Sequence, residues 1–369
     1  MKKYYLSLLL SAFTLGAFAQ SYYQLPAINA GTNPGNLNND PEQPEGFLSG
    51  NNLGYTVVHS SNTADVWSSA QTIPFSFNFN GSAESTYFVS TSGVVTFASS
   101  APALSPGFTP AALPAANIPS KSVMVWGLEV SGANDAVVSK TFGTAPNRQH
   151  WIIWASASNS GLGAGSQWAY WGIVFEETTD NIYIVDMRNY SQAGGNLAIT
   201  AGIQINGASA LMVSGSPALN ATNLATGGNG SDASDNSFYE FIYGTQPQYD
   251  LELVSVSAPA MTGLSTNNTF EATVRNKGSQ AVTSYDYNYD DGAGNTGSTA
   301  FSGNLASGAF GTITLSPGWT APAAGTYNIT LDVDNPNGNA DANPGNNSTT
   351  VTVQAAADVP RRFLAEKFT

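Results

Sequence analysis

Strict alternation of apolar and polar residues is the feature that most limits what this chain can fold into. In TIPFSFNFNG, Ile73, Phe75, Phe77 and Phe79 occupy every second position. Because every second side chain of an extended strand lies on the same face, this segment predicts a β-strand with one buried face. No stretch of useful length shows the 3.6-residue period of an amphipathic helix. The pattern therefore predicts an all-β protein.

Strand signals of this kind recur between residues 52 and 245. TYFVSTSGVVTFAS predicts two strands about a turn at Thr91-Ser92-Gly93, and WGIVFEETTDNIYIVDM predicts two about Thr179-Asp180-Asn181. Other strand signals are SVMVWGLEV, RQHWIIWAS, AITAGIQI and FYEFIYG. Many short strands with regular turns are typical of two-sheet proteins, so residues 52–245 predict a jelly-roll-like β-sandwich.

The pattern restarts after GTQPQYD, residues 244–250, which predicts a linker. About seven strand signals follow over roughly 100 residues, which favours an immunoglobulin-like β-sandwich at 246–355. In GTYNITLDVD, alternate apolar residues begin at Tyr327 and end at Val333, and Asp290-Asp291-Gly292 predicts a hairpin turn. Two β-sandwiches in series are therefore the expected architecture.

The N-terminus has the three parts of a secretory signal. Lys2 and Lys3 precede an apolar stretch, and small residues precede a predicted cleavage between Ala19 and Gln20. Residues 1–19 are thus a predicted signal peptide, exporting the protein through the inner membrane to a secreted or cell-surface location. No stretch reaches the roughly 20 apolar residues of a membrane span. Residues 20–51, rich in Pro, Gly and Asn, predict an irregular arm.

Charge and cysteine content narrow the possible partners. The net charge of −14 argues against nucleic acid, because phosphate binding needs clustered Lys and Arg. With no cysteine, the chain has no disulfide and depends on burial for its stability. These features leave a surface glycan or a protein as the expected ligand, without deciding which.

Few residues are candidates for catalysis. A Ser-His-Asp triad needs a histidine base, and the chain has only His59 and His150, with no G-x-S-x-G motif. Glu176 and Glu177 are adjacent acids, but neighbours on a strand point to opposite faces. A jelly-roll glycoside hydrolase using Glu176, Glu177 and His150 stays an alternative. We assign no catalytic and no cofactor-binding residue.

An Asp- and Asn-rich loop at Asp334 to Asn343 is the one candidate for a metal. Carboxylate and amide oxygens are what calcium prefers, but the spacing does not fit an EF-hand. Asp and Asn are also common in turns because they cap them. No metal ligand is assigned and no cofactor is expected, although calcium binding stays open.

Three aromatic residues follow the glycine-rich GLGAGS segment. Exposed aromatic rings can stack on sugar rings, so Trp168, Tyr170 and Trp171 favour a carbohydrate-binding module as an alternative function. Trp168 and Tyr170 should share one face of a strand, with Trp171 on the other. At least one of these rings is therefore expected in the core.

Several stretches resemble known families. The first domain resembles the N-terminal β-sandwich of large proteins that Gram-negative bacteria export by type IX secretion, through NPGNLNNDPEQPEG, IPFSFNFNGS, SGVVTF, FGTAPNRQHWIIW, WGIVFEETTDNIYIVDMRN and SDNSFYEFIYG. The second resembles CARDB, the cell-adhesion-related domain in bacteria, through Asp250-Leu251, Asn276-Lys277-Gly278, SPGWTAPAAGTY and NPNGNADANPGNN. RRFLAEKFT resembles the first strand of the thioredoxin-like, outer-membrane-protein-28-related domain.

These resemblances imply a function without catalysis in this chain. They imply an extracellular or cell-surface scaffold for adhesion or binding. Residues 356–369 would be a linker and the first strand of a thioredoxin-like domain that this chain lacks. In that family a Cys-x-x-Cys motif follows the strand, so redox chemistry would belong to a longer parent protein, and the domain would act in cis.

Overall fold

A computed structural model describes residues 22–28, 33–40, 53–60, 65–103, 105–162, 167–193, 195–219, 224–225 and 236–357. Throughout these ranges the regular structure is β, apart from three short 3-10 helices at Pro34–Asn36, Pro336–Gly338 and Pro344–Asn346. The all-β prediction is therefore confirmed, and the strands form two sandwiches in series.

The first sandwich contains fifteen of the described strands. They are β1 Tyr22–Ile28, β2 Thr56–His59, β3 Gln71–Phe79, β4 Ser82–Val89, β5 Val94–Thr96, β6 Ser122–Trp126, β7 Leu128–Glu129, β8 Ala136–Thr144, β9 Asn147–Asn159, β10 Gln167–Glu176, β11 Ile182–Ser191, β12 Thr200–Asn206, β13 Ser209–Met212, β14 Leu224–Ala225 and β15 Ser237–Tyr243.

Two sheets face each other in this sandwich. One has nine strands in the order β1-β15-β11-β10-β9-β8-β2, with β14 beside β11 and β7 beside β9. The other has six in the order β13-β12-β6-β5-β4-β3. Between them lies an aromatic core that includes Phe77, Phe97 and Phe175, and the rings of Phe77 and Phe175 stack at 5.0 Å. The predicted alternation in β3 supplies this core, with Ile73 to Phe79 facing inward.

The nine-stranded sheet is also covered on its outer face. There Val138, Ile153, Tyr170 and Val185 form a second apolar cluster. Residues from the N-terminal part of the chain pack onto this outer face. Leu37 and Leu53 contact the apolar cluster, and Asp40 forms an ion pair with Lys140 of β8. Strands β9 to β11 are consequently buried on both faces, as central strands are when both sides of a sheet are covered.

The second sandwich contains eight strands. They are β16 Leu251–Ser257, β17 Met261–Gly263, β18 Glu271–Asn276, β19 Val282–Asp290, β20 Thr296–Leu305, β21 Phe310–Thr314, β22 Gly325–Asp334 and β23 Ser348–Ala356. A three-stranded sheet, β16-β18-β21, packs on a five-stranded sheet, β17-β23-β22-β19-β20. Trp319 lies at the centre of the core and donates from Nε1 to Asp291 Oδ2 at 3.0 Å. The immunoglobulin-like expectation is met.

The predicted turns are confirmed, and one predicted segment is corrected. Thr91–Gly93, Thr179–Asn181 and Asp291–Gly292 each lie between hydrogen-bonded strands. The expected irregular arm, however, contains β1, which pairs antiparallel with β15 and buries Tyr22 and Leu25. Pro26 obscures this strand in the sequence, but a proline is tolerated here because β1 lies at the edge of its sheet.

Candidate functional site

A buried ion pair joins the two sandwiches. Arg275 of β18 is only 1% exposed, and its Nη1 donates to the Glu240 carboxylate of β15. Its Nη2 lies 3.5 Å from the carbonyl oxygen of Pro26 in β1. Removing either partner of a buried pair leaves an uncompensated charge, so this pair favours the one placement of the two sandwiches in which the groups meet.

Close backbone contact surrounds this pair. Gly308 has a φ of +75°, and a Cβ there would lie 2.2 Å from Pro26 Cδ, so only glycine fits without displacing the first sandwich. Gln246, in the predicted linker, donates from Nε2 to the Lys277 carbonyl at 3.1 Å and to Ser307 Oγ at 3.2 Å. The linker is therefore held against the second sandwich rather than acting as a free spacer.

Burial sets the electrostatics of this junction. It raises the pKa of Glu240, while the positive charges of Arg275 and Lys277 act in the opposite direction. Burial also raises the pKa of Tyr23, in β1, to about 12, with a further contribution from the Asp250 carboxylate. The junction thus combines acidic and basic groups that are largely removed from water.

A cleft of about 360 Å³ opens beside the ion pair. Phe238 and Tyr183 of the first sandwich line one side, and Val254 and Phe310 of the second line the other. Val254 and Phe310 are 46% and 43% exposed, and because both line this cleft they form a shared apolar surface rather than isolated exposed residues. The cleft is therefore a recess with both apolar and polar walls, and residues of both sandwiches line it.

Charged groups complete the lining of this cleft. The Lys277 ammonium and the Glu252 carboxylate lie 3.7 Å apart, which is too far for a hydrogen bond. Among the described residues, neither side chain forms a hydrogen bond elsewhere. Each can therefore offer hydrogen bonds to a molecule in the cleft, one as donor and the other as acceptor.

Both histidines are held by structural contacts. The His150 ring lies between the Tyr87 hydroxyl at 2.7 Å and the Thr141 hydroxyl at 2.9 Å, and burial lowers its pKa to about 4. His59 Nε2 lies 2.9 Å from the Val89 carbonyl oxygen, and burial lowers its pKa as well. Neither arrangement provides a base beside a serine nucleophile, so the triad interpretation has no geometric support.

Glu176 and Glu177 have separate structural partners. Glu177 binds Arg148 through two hydrogen bonds of 2.6 and 2.8 Å, which lower the pKa of the Glu177 carboxyl. Glu176 accepts from Gln149 Nε2 at 3.0 Å and from the Tyr183 hydroxyl at 2.9 Å. Because each carboxylate is engaged by its own donors, the two do not form a catalytic pair across a cleft.

The predicted aromatic platform is corrected by the structure. Tyr170 and Trp171 are buried on opposite faces of β10, and Trp171 donates from Nε1 to Asn189 Oδ1 at 2.9 Å. Trp168 is partly exposed, but its ring stacks on Tyr190 at 4.1 Å. The three rings therefore do not form one exposed surface, because the covered outer face of the nine-stranded sheet encloses Tyr170.

Side chains of the Asp334 to Asn343 loop bind backbone groups. Asp341 accepts from the Leu251 amide at 2.7 Å and from the Asn343 amide at 2.8 Å, and Asn337 Oδ1 accepts from the Thr283 amide at 2.7 Å. In the part of the chain that the structure describes, no three His, Cys, Asp or Glu residues are grouped to hold a metal ion. The predicted signal cleavage at Ala19-Gln20 lies outside the described residues, and so do residues 358–369 of the predicted linker and strand at 356–369.

Sequence reasoning missed the junction, although a signal for it exists. Glu240 lies between Tyr239 and Phe241 in a largely apolar strand, whereas Arg275 lies in β18, whose sequence EATVRN is mostly polar. A charged residue in an apolar strand is rarely buried without a partner, so Glu240 predicts a hidden partner. The sequence does not show that the two are partners, because their strands belong to different domains.

No helix among the described residues is long and apolar enough to cross a bilayer.

A family model described as NIDO related matches residues 48–243, and a CARDB model matches residues 248–351. No curated protein matches the chain.

Three solved structures match parts of the chain. The CARDB domain of a Pyrococcus furiosus protein, crystallised with two metal ions, is 23% identical, with 31% of this chain and 99% of that one covered and a TM-score of 0.25. A Methanosarcina acetivorans domain described as part of a cell surface protein is 26% identical, with coverages of 32% and 99% and a TM-score of 0.25. The Endo-D glycoside hydrolase domain of Streptococcus pneumoniae is 14% identical, with coverages of 61% and 34% and a TM-score of 0.15.

Proposed function

The chain belongs to the NIDO-related family, and from that membership and the geometry of its junction we propose that it is a non-catalytic adhesion scaffold of the cell surface. The CARDB match adds an adhesion-related module behind the first sandwich. The histidine and glutamate side chains that were candidates for catalysis have structural partners. A binding and spacing role is the function that these features support together.

The buried Arg275–Glu240 pair is the observation that carries this proposal. A flexible chain of modules would need no buried charge between two of them, since inter-domain motion is the ordinary expectation for small polar interfaces. Here a charged pair and a glycine contact fix the second sandwich on the first. In such a rigid unit, a binding surface on one sandwich keeps a fixed position relative to the other sandwich.

We also propose that this scaffold is exported and that it carries a further domain. Export would follow removal of residues 1–19, which the Lys2-Lys3 pair and the Ala19-Gln20 boundary favour. The likeness of RRFLAEKFT to a thioredoxin-like first strand supports a redox domain beyond residue 369, held away from the surface by the two sandwiches. N-terminal sequencing of exported protein should begin at Gln20, and the downstream coding sequence should contain Cys-x-x-Cys. A different start, or no such motif, removes the corresponding part.

Attachment of coated beads tests the adhesion proposal. Beads carrying the purified chain from Gln20 onward should attach to cells of the source organism, whereas albumin-coated beads should not. Chain without beads should compete for the same sites. Equal attachment of both bead types would contradict adhesion. Hydrolysis of a glycoside substrate that is lost in Glu177→Gln would contradict the non-catalytic part.

A further inference from the structure

The cleft between the two sandwiches has the chemistry of a small ligand site. Its volume of about 360 Å³ lies at the lower end of the range for ligand pockets, and such pockets occur preferentially between domains. Apolar and aromatic side chains share its wall with polar and charged ones, among them Glu252 and Lys277. A recess of this size takes one ring rather than an extended chain.

Phe310 supplies an aromatic surface that is already held in place. The Arg275 guanidinium lies over its ring at 5.0 Å, and Arg275 is itself fixed by Glu240. The Phe310 ring is nonetheless 43% exposed and lines the cleft, so part of it is open to another molecule. A pre-positioned aromatic ring binds with little loss of conformational entropy.

The charges around the cleft favour a neutral ligand. Arg275 pairs with Glu240 and Lys277 lies near Glu252, so the opposite charges of the lining largely offset one another and leave little net attraction for an ion of either sign. Lys277 and Glu252 retain free hydrogen-bonding capacity at 3.7 Å from each other. Together they suit a ligand that carries neighbouring donors and acceptors without a charge, as vicinal hydroxyl groups do.

We propose that this cleft binds one neutral hexose ring of a surface glycan, with the C–H face of the sugar on Phe310 and its hydroxyl groups on Lys277 and Glu252. The inference rests on the proposed adhesion function, because it takes the ligand from a cell surface. It moves glycan recognition from Trp168, Tyr170 and Trp171 to a site that both sandwiches share.

A glycan array followed by titration tests this inference. The purified chain from Gln20 onward should bind glycans that end in a neutral hexose, and the methyl glycoside of that hexose should then be titrated by calorimetry. Phe310→Ala should weaken binding at least about tenfold, and Lys277→Met should weaken it by a similar factor. Phe310→Trp keeps an aromatic ring at this position and should bind within about threefold of the wild type.

Two further variants serve as controls. Met261→Ala changes another exposed apolar residue of the second sandwich and should leave binding unchanged. Trp168→Ala should also leave it unchanged. The inference is overturned if no neutral hexose binds, if acidic glycans or peptides bind instead, if Phe310→Ala and Lys277→Met bind as the wild type does, or if Trp168→Ala removes binding. Thermal melts of each variant separate lost binding from lost folding.

The bead assay separates this inference from the proposed function. If wild-type beads attach to cells while no hexose binds, the cleft assignment fails and adhesion stands. If hexose binds and depends on Phe310 while beads do not attach, the cleft assignment stands and the adhesion function fails.

Discussion

The two sandwiches differ in what covers the outer faces of their sheets. In the second sandwich, β22 alternates cleanly, with Leu331 in the core and Thr330 exposed. In the first, the central strand β10 buries both Trp171 on its inner face and Tyr170 on its outer face. Alternation therefore predicts burial correctly where one face meets water, and fails where another part of the chain covers that face.

Of the changes that test this difference between the sandwiches, truncation of Tyr170 should have the largest effect on stability. Tyr170→Ala should destabilise the first sandwich by about 3–5 kcal/mol, because the aromatic ring is buried and its loss leaves a cavity. The matched outer-face change in the second sandwich, Thr330→Ala, should alter stability by no more than about 0.5 kcal/mol. Calorimetric unfolding of the full chain measures both. A loss below about 1 kcal/mol for Tyr170→Ala would show that the outer face is not covered.

The covered face also explains what the sequence could and could not predict. Strands and turns follow from local signals, such as Ile73 to Phe79 in β3 and Thr179–Asn181 after β10, and these were predicted. The outer-face cluster that contains Tyr170 is partly covered by Leu37 and Leu53, more than 100 residues earlier, and no local pattern contains these contacts. The predicted aromatic platform failed for that reason.

The junction between the sandwiches could not be predicted for the same reason: its contacts join residues that are far apart in the sequence. Glu240 and Arg275 lie in strands of different domains, and neither strand alone shows which residue its charge meets. Which charge meets which depends on the angle between the sandwiches, and that angle depends on contacts such as Gly308 against Pro26. The existence of two sandwiches is therefore readable from sequence, while the cleft between them is not.

Breaking the ion pair should have the next largest effect, on the contact between the sandwiches. Arg275→Ala should destabilise the joined form by about 3 kcal/mol, because Glu240 is left buried without its partner. This is the low end for a buried pair, since separation of the sandwiches lets water reach Glu240. Small-angle scattering should show a more extended molecule, and the two unfolding transitions should move further apart in temperature than in the wild type.

A surface pair of the first sandwich provides the control for Arg275. Lys121 binds Glu84 at 2.7 Å with its side chain 42% exposed. Exposed pairs contribute about 0–1 kcal/mol, so Lys121→Ala should leave both the scattering and the transitions nearly unchanged. Equal effects of Arg275→Ala and Lys121→Ala would mean that the junction pair does not fix the sandwiches.

Acid should act on the first sandwich through His150, since the second contains no histidine. The folded pKa is lowered to about 4 from 6.5, so between these values the unfolded chain holds a proton that the folded chain lacks. Stability is therefore lost as pH falls through this window, up to roughly 3 kcal/mol. Because raised carboxyl pKa values, such as that of Asp135, act in the opposite sense, the measurement is the difference between wild type and His150→Gln.

That difference should shrink steadily from pH 7 to pH 4 in the unfolding transition of the first sandwich. The second transition should show no dependence on the variant. A difference that is the same at pH 7 and pH 4 would mean that His150 titrates normally despite its burial between Tyr87 and Thr141.

Calcium should have the smallest effect, and it concerns the second sandwich alone. Asp341 and Asn337 already accept hydrogen bonds from the Leu251 and Thr283 amides, and a metal would have to replace these contacts. A ligand that binds only the folded state raises its stability by RT ln(1 + [L]/Kd), so an ion that does not bind leaves the stability unchanged. We therefore expect the two unfolding temperatures to be the same in millimolar calcium and after treatment with a chelator. A calcium-dependent rise in the second transition that Asp341→Asn abolishes would contradict this, and would turn the loop from a structural cap into a metal site.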